Sequence, residues 1–307
     1  MNNQGCAASP RNPDYSLYDA CSLGGKGVSR YSYIQKLDLD SIASYRSYNI
    51  CFFKMQYLLI LGAALLAGAI NGIAGGGSFI LFPVLMFVGI PPITANATNA
   101  IALLPGTLAS AGAYRHEFDE DKRSLIQICI LGVIGGLAGG ILLLRTPSAT
   151  FLQVLPYLLL TATLAFAFSN KMTIWVERQQ SRFAKFRELR TVLITILQLV
   201  VAIYGGFFGG GMGILFLATF ALMGMTNIHR MNAYKTMLTS CINAVIVIPF
   251  VNAGVILWQE GAIAAIGAAI GGYISAYYVQ KIPQIVVKRF VIVLGSAMTL
   301  YFFINNK

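Results

Sequence analysis

The chain has 307 residues, of which 57% are hydrophobic and only 11% are charged. A soluble domain carries roughly 25% charged residues, so this composition excludes an ordinary soluble protein and predicts an all-α polytopic membrane protein. The net charge of +11 lies mainly in connections between apolar segments, where cytoplasmic placement accounts for it, and no nucleic-acid partner is expected.

Residues 1–54 differ from the rest of the chain. They are polar, rich in Ser, Tyr, Asn and Gly, and contain no apolar run longer than a few residues. Such a segment has little aliphatic surface to bury, which predicts a disordered N-terminal tail. Met55 begins the first long apolar run, so we hypothesise that the native protein starts there.

From Met55 onward, the chain is a series of apolar segments. We compare their lengths with the roughly 20 residues that a helix needs to cross a bilayer. The longest polar connection, 171–190, is basic and divides them into two groups. This predicts a first transmembrane repeat at 55–170, a basic cytoplasmic linker at 171–190 and a second transmembrane repeat at 191–307. The segments are 55–74, 78–90, 94–114, 125–144 and 149–169, then 191–208, 212–225, 231–251, 260–280 and 286–304.

Each repeat begins with an apolar run that three consecutive glycines interrupt. The triplets are Gly75 to Gly77 and Gly209 to Gly211. Each glycine costs about 1 kcal/mol relative to alanine inside a helix, and hydrocarbon offers no water to a broken backbone. Two matching breaks, one in each half, are typical of transporters whose site is built from interrupted helices.

The positions of Lys and Arg favour a helical hairpin over a kinked span at each break. If each broken element enters the membrane and returns to the face from which it entered, the connections 115–124, 171–190, 226–235 and 281–289 all lie on the same face of the membrane. These connections carry most of the basic residues, in agreement with the positive-inside tendency. Each repeat then holds a hairpin plus three transmembrane helices, and the odd number of crossings makes the two repeats inverted. Both termini are expected outside.

The two breaks are the predicted anion site, because a helix N-terminus offers unpaired amides and a partial positive charge. In inverted repeats the two tips meet near the midplane, and polar clusters after each break line a path to them. Helix capping, a snorkelling lysine and close helix packing are the alternative roles. The predicted substrate-binding residues are Asn71, Gly75, Gly76, Gly77, Ser78, Thr98, Asn99, Gly209, Gly210, Gly211, Lys235 and Thr236.

The acidic residues argue against a cation pathway. No Asp or Glu lies in the middle of an apolar segment, so a buried carboxylate relay for protons or sodium is hard to build. The spans also contain no pair of a nucleophile and a base, and the cysteines lack metal-ligand spacing. We predict no enzyme activity, no cofactor and no metal site.

These motifs resemble the sulfite exporter TauE/SafE family of membrane transporters. The segments that carry the resemblance are NGIAGGGSFILFP at 71–83 and YGGFFGGGMGILF at 204–216, each followed by a polar cluster. The family usually has Ala-Thr-Ser where this chain has Ala97-Thr98-Asn99, and smaller residues where Tyr234 and Lys235 stand. The resemblance implies movement of small sulfur-containing or organic anions, often outward.

The leading prediction is therefore a multi-pass transporter in the cell membrane that exports a small anion such as sulfite, a sulfonate or a similar organic acid. A membrane scaffold or accessory subunit without transport of its own is one alternative. An uptake permease for another small solute is the second. The expected partners are the small anionic substrate and the lipid bilayer, with a homodimer as a candidate assembly.

Overall fold

The computed structural model describes residues 39–73, 75–118, 122–183, 187–225, 227–278 and 284–305. The chain divides into two units, Met1–Phe52 and Phe53–Lys307. Of the first unit, residues 39–52 are described and are helical. The second unit contains both glycine breaks, and the fold below is that of this unit.

Ten α-helices make up the regular structure of the described residues, together with one 3-10 turn at Arg115–Phe118. The prediction of an all-α protein is confirmed, and the helices match the ten predicted apolar segments. In chain order they are α1 Leu39–Ile73, α2 Ser78–Phe87, α3 Pro92–Ala113, α4 Lys122–Arg145, α5 Ser148–Phe183, α6 Arg187–Phe207, α7 Met212–Met223, α8 Ile228–Asn252, α9 Trp258–Tyr278 and α10 Gln284–Asn305.

Two of the predicted boundaries differ from the structure. Residues 39–54, predicted as part of a disordered tail, continue α1 as helix, since they contain neither Gly nor Pro to stop it. Residues 1–38 lie outside the described part of the chain. The predicted linker is helical over residues 171–183 and 187–190, as the end of α5 and the start of α6.

In the part of the chain that the structure describes, five helices contain a segment long and apolar enough to cross a membrane: Met55–Gly72, Lys122–Arg145, Ser148–Ala165, Arg190–Phe207 and Ile228–Asn252. Their apolar side chains face outward, as Ile126, Ile130 and Ile134 of α4 do, each more than half exposed. In water such a stripe would be costly, whereas in a bilayer it contacts lipid. The chain is therefore a multi-pass membrane protein.

The second glycine break folds the chain back on itself. In the first turn of α6, the Arg190 guanidinium donates to the Leu222 carbonyl near the end of α7 (Nη2–O 2.6 Å). Further along α6, Gln198 Nε2 lies 3.1 Å from Met223 Sδ. Helices α6 and α7 thus form a hairpin, as predicted for this element. With 12 residues, α7 is about 18 Å long, too short to cross about 30 Å of hydrocarbon alone.

Glycine pairs outside the breaks pack helices from the two halves of the sequence against each other. A β-carbon on Gly139 of α4 would overlap the Ile203 carbonyl of α6, and one on Gly271 of α9 would overlap the Leu65 carbonyl of α1. A glycine-lined helix from each half of the sequence thus packs on a helix that precedes a glycine break in the other half. The packing role predicted by small-residue helix contacts accounts for these glycines.

Candidate functional site

The two glycine breaks touch each other in the interior. A β-carbon placed on Gly75 would lie 3.0 Å from the Cα of Gly213, and one on Gly213 would lie 3.0 Å from the Cα of Gly75. Gly75 also has φ +78°, a conformation that favours glycine. Residues far apart in sequence, one from each glycine break, thus meet where only hydrogen atoms separate the backbones.

Lys235 of α8 reaches this contact. Its Cδ would lie 3.6 Å from a β-carbon on Gly75 and 3.2 Å from one on Gly213. The residue is only 1% exposed, and Nζ donates to the neutral acceptor Asn232 Oδ1 (2.9 Å). Among the side chains whose burial the structure describes, Lys235 is the only charged one that is buried, and no carboxylate is buried with it.

The first break leaves backbone donors at the start of α2. The Gly75 amide donates to Asn71 O (3.1 Å), and the Phe79 amide donates to Gly76 O (3.1 Å). Within the described residues, no backbone carbonyl accepts from the amides of Gly76, Gly77 and Ser78. These are the orphan donors of a helix N-terminus, and they point toward positions where negative charge is favoured.

The second break has the same property but a different set of supports. No backbone carbonyl in the described part accepts from the amides of Gly210, Gly211 and Gly213. The Tyr204 hydroxyl donates to Gly210 O (2.8 Å) and lies 3.2 Å from Leu158 O. This tyrosine ties the break to α5 and fixes the path of the chain between α6 and α7.

Polar residues of α3 connect both breaks to one helix. Asn99 Nδ2 donates to Ser78 Oγ (3.1 Å) at the first break, and Asn96 Nδ2 donates to the Phe207 carbonyl (2.9 Å) where α6 ends. Asn99 is 2% exposed, and its Oδ1 has no hydrogen-bond partner. A buried amide oxygen without a donor is costly, which makes this atom available to a ligand.

The same pattern of residues recurs in α8. Asn96 and Asn99 of α3 correspond to Asn232 and Lys235 of α8, at the same spacing and at the same positions from the start of their helices. The two helices pack against each other. A neutral amide in α3 and a cation in α8 thus occupy equivalent positions in their helices.

Comparison with known proteins shows the family to which this chain belongs. The model of the family described as "Sulfite exporter TauE/SafE" matches residues 60–302. The chain belongs to the TauE/SafE family. That range includes both glycine breaks and the polar segments of α3 and α8, so the resemblance predicted from the motifs is confirmed.

Three curated relatives carry transporter names. The chain is 28% identical over 234 residues to a "Probable membrane transporter protein" of Haemophilus influenzae, covering 76% of this chain and 89% of the relative. It is 24% identical to "Probable membrane transporter protein ORF9" of Sinorhizobium sp (82% and 93%) and to "Probable membrane transporter protein YfcA" of Escherichia coli (82% and 92%). No solved structure matches the chain.

Within this TauE/SafE fold, the predicted residues separate into three groups. Gly75 and Lys235 meet at the contact between the breaks, and Ser78 pairs with Asn99 beside it. The other members of the first break are buried or half-buried around this point, with Asn71 against Gly77. These positions are compatible with the predicted binding role.

The second triplet takes a different position from the one expected of a tip. A β-carbon on Gly211 would meet Ala162 Cβ at 2.8 Å and the Phe79 ring at 3.3 Å, and one on Gly210 would meet the Phe208 ring at 2.5 Å. Gly209 has φ +77° and shapes the turn. The residue that faces Gly75 is Gly213, two positions beyond the triplet.

Two predicted residues bond to backbone instead of facing the contact. Thr98 Oγ1 accepts from the Leu257 amide (3.2 Å) just before α9 begins. Thr236 Oγ1 donates within its own helix, to Asn232 O and Ala233 O. Both arrangements are the capping and local bonding that Thr favours.

Asn96, Tyr204, Gly213 and Asn232 also take part in this site, although they are not among the predicted substrate-binding residues; the sequence placed Tyr204 near the tips and Asn96 and Asn232 in the polar clusters. All four lie within the two family motifs or the polar clusters after them. Gly213 carries a signal in GGGMG, where a fourth glycine follows the triplet. Asn96 joins distant segments through its bond to the Phe207 carbonyl, whereas Tyr204 and Asn232 bond to groups six and three residues away.

Proposed function

We propose that this protein exports a small anion, with sulfite and small sulfonates as the leading candidates, through a site between Gly75, Gly213 and Lys235. The observation that carries the proposal is the buried Lys235, which has no buried carboxylate to balance it among the described residues. A buried charge is expensive unless it is paired. A bound anion would supply the missing partner.

The surrounding groups favour a small oxyanion. Backbone amides at both breaks and the Lys235 ammonium are donors suited to its oxygen atoms. Asn99 Oδ1 adds one acceptor, which suits a protonated or hydroxylated anion such as hydrogensulfite. Close backbone contact at Gly75 and Gly213 leaves little room for a bulky substituent.

The glycine contacts between repeats support an inverted arrangement of the two halves in the cell membrane. Each half provides a first helix with a break, and a glycine-lined helix for the other half. In such a plan the site lies at the repeat interface, and rocking of one half against the other exposes it alternately. A homodimer and the outside location of both termini stay predictions.

Export of an anion needs no coupling ion. A membrane potential that is negative inside drives one negative charge outward by about 2.3 kcal/mol per 100 mV. The buried side chains of the described residues include no carboxylate that could carry a co-transported proton. We therefore expect outward flux to follow the membrane potential.

The test is flux of sulfite, a small sulfonate and a carboxylate in proteoliposomes. Gly75→Ala is compared with Gly89→Ala, because both glycines have positive φ (78° and 92°) but only Gly75 lies at the contact, with nothing within 4 Å of a β-carbon on Gly89. We expect Gly89→Ala to retain anion flux and Gly75→Ala to lose most of it. Equal flux in the two variants, or no anion flux in the wild type, would overturn the proposal.

A further inference from the structure

A buried acceptor without a hydrogen-bond donor lies beside the first glycine break. Asn99 of α3 is 2% exposed, and its Oδ1 has no hydrogen-bond partner in the described part of the chain. In folded proteins the large majority of buried side-chain polar atoms are paired, so each exception needs an explanation. Here the exception belongs to a residue of the candidate site, which points to a ligand as the missing donor.

The Asn99 amide is held in one orientation by Ser78. Its Nδ2 donates to the Ser78 hydroxyl (3.1 Å) at the start of α2. Since an asparagine amide carries donors on nitrogen and an acceptor on oxygen, this bond directs the nitrogen toward the break and leaves the oxygen as the end that a ligand can reach. Ser78 is thus a positioning residue, because the amide can rotate when its hydroxyl is removed.

The other polar groups of the site are donors. The amides of Gly76, Gly77 and Ser78 have no backbone acceptor in the described residues, and Lys235, at the position of α8 equivalent to Asn99, carries only N–H donors and one positive charge. A ligand that pairs with all of these groups has several acceptor atoms, one negative charge and one donor. A hydroxylated or singly protonated oxyanion has this composition, whereas sulfate has no donor for Asn99 Oδ1.

We propose that Asn99 determines the specificity of the site, which takes small monoanions that carry one O–H donor and discriminates against anions of equal size that lack it. An anion without the donor leaves Oδ1 buried and unpaired in the complex, which is unfavourable. Sites built to bind a hydroxyl group reject analogues that lack it for this reason. The inference rests on the proposed anion site between the breaks, but it is measured by binding and needs no transport.

The experiment compares anions that differ in one hydroxyl group. Glycolate and propionate have the same charge and number of non-hydrogen atoms, and so have hydroxyethanesulfonate and propanesulfonate. In each pair a hydroxyl group takes the place of a methyl group. Dissociation constants for the purified protein are obtained from the rise of its melting temperature with anion concentration. The wild type should bind the hydroxylated member of each pair at least about fivefold more tightly, the effect of one neutral hydrogen bond.

Two variants assign this preference to the Asn99 amide. Asn99→Leu keeps the approximate size of the side chain without its polar atoms, and should give both members of a pair the same affinity. Ser78→Ala keeps Asn99 but releases its amide, and should lose most of the preference while both anions still bind. Thr107→Val is the matched control, since Thr107 is buried in the same helix and bonds its own Leu104 carbonyl. It should retain the wild-type preference.

Several results would overturn the inference. Equal affinities within both pairs in the wild type, or no binding of either hydroxylated anion, would show that the site does not select for the donor. Tighter binding of propionate than of glycolate would show that the amide presents its nitrogen. A preference that persists in Asn99→Leu would place the acceptor elsewhere. If Asn99→Leu does not fold, Ser78→Ala decides, because an unchanged preference there would contradict the orientation of the amide.

Flux separates this inference from the proposed function. If the wild type moves sulfite but shows no preference within either pair, export stands and the role of Asn99 fails. If the wild type moves no anion but prefers the hydroxylated members, and Asn99→Leu loses that preference, the proposed export fails and the binding specificity stands.

Discussion

The helices that follow the two glycine breaks supply different side chains to the place where the breaks meet: α3 supplies neutral amides, whereas α8 supplies a buried cation. At the first, Asn99 of α3 bonds the Ser78 hydroxyl. At the equivalent position of α8, Lys235 lies against Gly75 and Gly213. Both breaks leave amides without a backbone acceptor in the described residues. The comparison teaches that the two glycine breaks share a backbone arrangement but that only α8, the helix that follows the second break's α7, supplies a buried charge.

The breaks also differ in the side chains that fix their backbone conformation. The half-buried Tyr204 holds the second break by donating to the Gly210 carbonyl (2.8 Å), beside Leu158 of α5, whereas at the first break Asn99 donates to the Ser78 hydroxyl (3.1 Å). Because Tyr204 bonds the backbone of the second break directly, we regard this break as the fixed wall of the site. The predictions below test this division of roles.

The largest effect is expected at the cation. Lys235→Met removes the charge while keeping the length of the side chain, and a hydrogen bond to a charged group is worth about 1.5–3 kcal/mol. Sulfite flux in proteoliposomes should fall about 10- to 100-fold. Because an unpaired buried charge destabilises a fold, the melting temperature should be unchanged or higher. Arg145→Gln, an exposed control, should leave both unchanged, and a variant with normal flux would remove Lys235 from the site.

Much of this molecule is predictable from its sequence. The glycine triplets, the apolar segments and the basic connections indicated ten helices and two breaks, because glycine and hydrocarbon leave few alternatives in a membrane. The contact between Gly75 and Gly213 was not predictable to the residue. It depends on how α7 turns after Gly211, where Phe79 and Ala162 set the packing.

The side-chain roles were harder to predict than the helices. Thr98 and Thr236 are polar residues of a type that can bind a ligand, but each forms a hydrogen bond with a backbone group. Asn and Thr serve as caps and as ligands alike, so sequence type does not separate the two. Burial of Lys235 was equally hidden, since a lysine eight positions into α8 could also extend toward the interface.

A smaller effect is expected at the neutral counterpart of Lys235. Asn99→Ala removes the bond to Ser78 and the free Oδ1, together worth about 1 kcal/mol as neutral groups. Sulfite flux should fall about fivefold. The control Thr107→Val lies in the same helix, is buried, and loses only a bond to its own Leu104 carbonyl. A loss as large as that of Lys235→Met would contradict the asymmetry between the breaks.

The smallest effect on transport is expected at Tyr204, the side chain that supports the second break. Tyr204→Phe leaves the Gly210 carbonyl without its donor, which costs about 1–3 kcal/mol of stability, so thermal unfolding in detergent should shift downward by several degrees. Tyr157→Phe is the matched control, because Tyr157 is 60% exposed and should not shift. An unchanged melting temperature in Tyr204→Phe would show that this tyrosine does not hold the break.

The central claim is that the anion lies where the two breaks meet. Equilibrium binding of radiolabelled sulfite to the purified protein tests this claim most directly. Gly213→Ala is compared with Gly112→Ala, since both are helical glycines but only a β-carbon on Gly213 has close neighbours, with nothing within 4 Å of one on Gly112. We predict saturable binding to the wild type and to Gly112→Ala, and at least tenfold weaker binding to Gly213→Ala. Equal affinity in all three proteins would contradict the account.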